Sequence, residues 1–161
     1  TASAIPSASA SVPTQTTSPE QAAYTAAETS YRAWGAAVIT AMSQNRPDLL
    51  QATPATPQVI AAQRATLANI WSGWAGSIRV TEEIRSVRPV SYSPTAVKLS
   101  VCTLRDARFI DPTGKDVTVD REAKPVPLAT KPLAQTVGFI LDGTTWRVSE
   151  YVIDPTDGVP C

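Results

Sequence analysis

Two kinds of periodicity divide this chain. From Ser18 to about Gly76 the apolar residues recur every three or four positions, and beyond Ser77 they recur every second one. The first helix is announced by Ser18-Pro19-Glu20-Gln21, where Ser18 can cap, Pro19 suits the first helical position and Gln21 completes a capping box. Tyr24, Ala27, Tyr31, Trp34, Val38 and Met42 then form one apolar face, ended by Gln44-Asn45-Arg46-Pro47. A short helical turn is expected at Asp48-Leu49-Leu50. Thr56-Pro57 repeats the cap-plus-proline signal, Ile60, Leu67, Ile70, Trp71 and Trp74 make the second apolar face, and Gly73 and Gly76 end the helix.

The period of two begins with Ile78, Val80, Glu82 and Ile84 on one side and Arg79, Thr81, Glu83 and Arg85 on the other, a strand with one solvated face interrupted at Arg88-Pro89. Ser91 to Pro94 turns the chain into a longer strand, with Val97, Leu99, Val101 and Thr103 on one face and Ala96, Lys98, Ser100 and Cys102 on the other. Continued parity puts Arg105 on the Val97 face, which implies either a bulge that reverses the parity or an arginine facing a cavity. Asp111-Pro112-Thr113-Gly114 is a turn, and a short strand is expected at Val117 to Val119. Asp120 to Pro132 holds three prolines and five charges and reads as a surface loop. Val137, Phe139 and Leu141 alternate again, Asp142-Gly143 signals a hairpin, and the return strand runs from Trp146 through Tyr151 to Ile153, where Asp154-Pro155 ends pairing.

Helices followed only by strands argue an α+β domain, two or three N-terminal helices packed on a curved antiparallel sheet. With 161 residues the chain is long enough for one domain with its own core. That domain spans 18–161. Residues 1–17 are almost entirely Ser, Thr, Ala and Pro and carry no charge, so they are expected to be a disordered spacer between an anchor and the domain, against the plainer reading of a dispensable terminus. The absence of an initiator Met suggests an upstream segment lost to processing or cloning, and a lipid anchor there would suit the spacer.

Fourteen acidic and fourteen basic residues balance, with no basic stripe, which argues against nucleic acid as a partner. The chain has no histidine, the commonest general base and metal ligand. No metal or other cofactor is expected. Two cysteines are too few for a zinc site, and one inside a strand with the other at the end suits a Cys102–Cys161 disulfide, which belongs in an oxidising compartment. By parity Cys102 lies on the outer face, so the segment from Asp154 should fold back across that face. No apolar run is long enough to span a membrane.

Trp34, Trp71 and Trp74 with Tyr24 and Tyr31 are candidate ligand-lining residues, and core packing is the competing reading, since all sit on apolar helical faces. Arg105 and Asp106 could form a polar pair at a pocket mouth, Arg105 holding an anion or Asp106 acting as a base; a salt-bridged strand edge competes with that. Arg105 and Arg108, if they approach Asp106, would pair with its carboxylate and make it a poor base. Glu82 and Glu83 point to opposite faces of a strand and cannot act as paired carboxylates. Thr113-Gly114-Lys115 lacks the upstream glycine of a phosphate loop. Asp154 and Asp157 are better read as a solvated turn than as a cation site.

The Ser/Thr/Pro tail, Val101-Cys102 in a long strand, Asp-x-x-Gly-Lys at Asp111 to Lys115, Asp142-Gly143 before Trp146-Arg147-Val148, and the closing Cys161 together form a pattern. In this the chain resembles the NTF2-like (cystatin-like) superfamily, and more narrowly the secreted or lipid-anchored NTF2-like proteins of actinobacteria. The resemblance implies a bent sheet around N-terminal helices and a conical pocket. Some members are isomerases or dehydratases with an Asp/His or Asp/Tyr set in the pocket; many others bind or scaffold. Without histidine, the expectation is a non-enzymatic extracytoplasmic binding or scaffold module that takes a protein or a small hydrophobic ligand. An isomerase or dehydratase of the same fold, and an assembly component of a conjugation or secretion complex, are the alternatives.

Overall fold

In the computed structural model, residues 17–120, 122–151 and 159–161 are described. The expectation for the spacer therefore falls, except at Thr17, outside the described residues, as do those for Asp154 and Asp157. Helix α1, Pro19–Gln44, starts where Ser18 Oγ accepts the Gln21 N–H at 3.1 Å and stops at Asn45 in the left-handed conformation. A 3-10 helix, Pro47–Ala52, links it to α2, Pro57–Trp71, which Thr56 caps. The strands are β1 (Ser77–Tyr92), β2 (Ala96–Ile110), β3 (Leu133–Asp142), β4 (Thr145–Glu150) and β5 (Val159–Pro160).

The sheet is antiparallel in the order β1-β2-β3-β4, with β5 paired to the start of β3 on the side away from β2. Its inner face carries Val97, Leu99, Val101, Val137, Phe139, Trp146 and Val148, packed against Ala27, Tyr31, Trp34 and Val38 of α1. Burial of this apolar face, at about 25 cal/mol per Å², is the main force holding helices to sheet. The outer edge of β4 is not free. Val148 exchanges hydrogen bonds of 2.9 Å with Pro54 and Thr56, so the linker before α2 covers it. The architecture is the α+β arrangement expected from the two periodicities, and its helices on an antiparallel sheet form the NTF2-like, cystatin-like fold that the resemblance implies.

Several local expectations change. β1 passes through Arg88-Pro89 as far as Tyr92, with register shifts at Ile84/Ser86 and Pro89/Ser91; an edge strand tolerates proline because one side of its backbone is unpaired. Residues 117–119 form no strand, only isolated bridges at Asp116 and Val119. Asp111, Asp116 and Asp120 each accept, through Oδ1, the backbone N–H two residues on, so the chain turns too often to extend. Two of these turns share one backbone pattern: Asp111 N bonds Lys115 O, and Asp120 N bonds Lys124 O. Regular pairing of β4 stops at Glu150, short of Tyr151.

Cys102 and Cys161 are joined in a disulfide. The end of the chain first adds β5 to the edge of β3, and Cys161 N then donates to Pro132 O as the residue reaches past β3 to Cys102 on β2. The expected return across the outer face is thus seen at Cys161; residues 152–158 lie outside the described ones.

Candidate functional site

The inner face of the sheet is apolar at the Val97 end and polar at the Arg105 end. Arg105 keeps its parity with Val97: no bulge intervenes in β2, and it faces inward directly opposite Glu82 on β1. Its Nε donates to Glu82 Oε2 at 2.7 Å, and Nη2 donates to the same oxygen. The Glu82 side chain is 4% exposed and that of Arg105 13%, so the pair is largely withdrawn from water. Gly35 of α1 makes room for it, since a Cβ there would fall 3.3 Å from Glu82 Oε1.

Tyr151 completes the cluster through a bulge. Phe139 pairs with Val148 and Gly138 with Glu150, so Ser149 is an extra residue in β4. Val148 points inward; the bulge turns Glu150 outward, where it meets Lys98 at 3.0 Å, and brings Tyr151 back to the inside. Arg105 Nη2 donates to the Tyr151 hydroxyl at 2.8 Å, and the Tyr151 ring stands edge-on to Trp34 with centroids 5.9 Å apart. Tyr31, one turn before Trp34, accepts a hydrogen bond of 3.3 Å from Gln135 Nε2. Burial pushes both phenols above their ordinary pKa. Glu82 adds to the effect at Tyr31, while Arg105 opposes it at Tyr151. Both hydroxyls therefore stay protonated at neutral pH. Trp34 Nε1 and Gln135 Oε1 are buried without a hydrogen-bond partner among the described residues. A separate hollow of about 570 Å³ is lined by Gln58, Val59 and Ala62 of α2, Lys98, Thr136, and Ser149 to Tyr151, so Tyr151 borders both it and the cluster.

The candidate ligand residues are scattered. Tyr31 and Trp34 are fully buried core residues, beside Arg105. Trp71 is only half-buried, and its indole N–H donates to Met42 O at 3.0 Å, tying α2 to the end of α1. Trp74 lies past the end of α2 and packs edge-on against Phe109 at 5.3 Å, outside the main core, because the helix that would have carried it inward ends at Trp71. Tyr24 is half-buried against Tyr92. Arg105 and Asp106 are not a pair. As strand neighbours they face opposite ways, and Asp106 accepts the Ala129 N–H at 3.3 Å on the outer side, near Arg108.

Sequence reasoning weighed Glu82 only as a carboxylate partner of Glu83, and it did not single out Tyr151, Gln135 or Gly35. For Glu82 the signal was present: an acid on the Ile78 face and a base on the Val97 face of consecutive strands are natural partners. For Tyr151 it was hidden, because unbroken alternation from Val148 would send it outward.

No family model matches the sequence, and no curated protein matches it. Among solved structures, the intermembrane-space region of the chloroplast protein ARC6 is similar over 79% of this chain and 92% of that one, with 13% identity and a TM-score of 0.51. A cystatin-like protein from Caulobacter vibrioides shares 17% identity over 80% of this chain and 91% of its own, with a TM-score of 0.42. A protein of the NTF2-like family from Streptomyces avermitilis shares 13% over 78% and 99%, with a TM-score of 0.40. At these identities the likeness concerns the fold alone.

Proposed function

We propose that this domain is a non-enzymatic, extracytoplasmic binding or scaffold module, held at the cell envelope through residues 1–17. The observation that carries the reading is the closed Glu82–Arg105 pair in a packed interior. The two charged groups facing the core satisfy each other, and Tyr31 and Trp34 fill the space between α1 and the sheet. A general base at neutral pH needs a group poised near 7, and the two phenols at this place are shifted the other way. The Cys102–Cys161 bridge supports an oxidising compartment. Among the described residues no helix is long and apolar enough to cross a membrane.

The test is fractionation of the source cells after blocking free thiols. The expected result is protein in the envelope or outside it, with neither cysteine alkylated. Recovery from the cytosol with two alkylated cysteines would overturn the location. Turnover of isomerase or dehydratase substrates that disappears in Tyr151→Phe would overturn the non-enzymatic part.

A further inference from the structure

The two long edges of the sheet are treated differently. Pro54 to Thr56 close the β4 edge, whereas β1 pairs only with β2 among the described residues. An unpaired edge offers a row of N–H and C=O groups to another strand. Pro89 and both register shifts, which blunt an edge, lie in the second half of β1, and the first half has neither. From Ser77 to Ile84 every residue pairs with β2 without a shift, from Ser77 opposite Ile110 to Ile84 opposite Thr103.

We infer that this regular stretch pairs antiparallel with the same stretch of a second copy of the chain, about a two-fold axis at Thr81. Charge selects the register. With the axis at Thr81, Arg79 of each copy stands opposite Glu83 of the other on the solvent face, while Ile78 meets Ile84 on the inner side. An axis at Glu82 sets Arg79 against Arg85. One at Glu83 sets that carboxylate against itself, and one at Ile84 draws the shifted residue Arg85 into the pairing. An axis at Val80 leaves Arg79 and Glu83 facing uncharged Thr81 and Ser77. Arg79 is exposed and enters no ion pair among the described residues. Glu83 is held by Arg85 at 2.8 Å, but both side chains are at least half exposed, and such a pair exchanges at little cost. Val80 and Ile84 are half-buried in the single chain and gain cover in the pair.

The contact is isologous, so one surface serves both copies. Its single strand pair falls short of the roughly 1,200 Å² of a stable interface, which makes the dimer weak and reversible. It does not depend on where the domain resides or what it binds.

A cysteine at the axis traps such a dimer. Under mild oxidation the full chain carrying Thr81→Cys is expected to form a disulfide-linked dimer faster than the chain carrying Lys115→Cys, an exposed position in the turn after β2. Adding Arg79→Glu sets like charges opposite each other twice and should slow cross-linking by about tenfold. Adding Glu83→Arg to that variant recreates both ion pairs with reversed sign and should restore the rate. Circular dichroism confirms that each variant is folded. Cross-linking no faster than at position 115, or unaffected by Arg79→Glu, would overturn the inference, as would failure of the double charge reversal to restore it.

Discussion

Glu82 and Arg105 face each other across β1 and β2 on the inner side of the sheet, and Tyr151 accepts a hydrogen bond from the same guanidinium. A buried ion pair is costly to assemble and costlier to break, because the surviving partner is left charged away from water. Arg105→Met is therefore expected to destabilise the domain by about 3–5 kcal/mol, with Glu82→Met similar. The double variant should recover most of the loss, since neither charge is then stranded. Urea unfolding of the three variants checks this; a double variant as unstable as the sum of the singles would refute it.

The four tryptophans do not contribute equally. Trp34 is fully enclosed, so Trp34→Ala should cost about 3–5 kcal/mol. Trp71→Ala and Trp74→Ala remove half-buried rings that cover helix and strand ends, and each should cost distinctly less. Chemical denaturation of the three single variants gives the order, and a Trp74→Ala loss as large as that of Trp34→Ala would contradict the placement of Trp74 outside the core.

The turns at Asp111 to Lys115 and Asp120 to Lys124 carry different residues at their left-handed position. Gly114 has φ of 89°, and the equivalent residue in the second turn is Ala123 with φ of 60°. An L side chain costs about 1 kcal/mol there. Ala123→Gly should therefore raise stability slightly, by some tenths of a kcal/mol to about 1, while Gly114→Ala should lower it by about 1 kcal/mol. Thermal melts of the two variants should move in opposite directions.

The Asp116 carboxyl is lowered to about 2, chiefly by the Thr118 backbone N–H, then by the Thr118 side chain and Arg108. A folded pKa below the unfolded value of about 3.9 means that the carboxylate stabilises the fold above pH 4, and that this contribution is lost as pH falls through 2. Asp116→Asn should thus melt lower than the parent at pH 6, and the gap should narrow between pH 4 and pH 2. A gap independent of pH would show that the carboxylate's charge is not what holds this turn.

The order of the helices and of the four long strands, both helix caps and the parity of β2 were legible in the sequence. They depend on contacts within a few residues: Ser18 to Gln21, Thr56 to Val59, and the alternation of Val97, Leu99 and Val101. The disulfide was legible too, because a chain with two cysteines offers one internal pairing. The fold class followed from the change of apolar period from helical to two, which dictates which faces must be buried together.

The polar end of the core was decided by tertiary structure. Arg105 presented two readings in the sequence, a bulge or an inward arginine. Only the strand register, which sets Glu82 directly opposite, decides for an inward arginine with a partner. Tyr151 is turned inward by the extra residue at Ser149, and a single inserted residue leaves no mark on composition or period. Trp71 and Trp74 share an apolar helical face in the sequence with core residues, yet how deep a ring lies is set by where the helix ends and what passes over it. Local patterns specify which way a side chain points relative to its neighbours. What it meets there depends on the register between strands far apart in the chain.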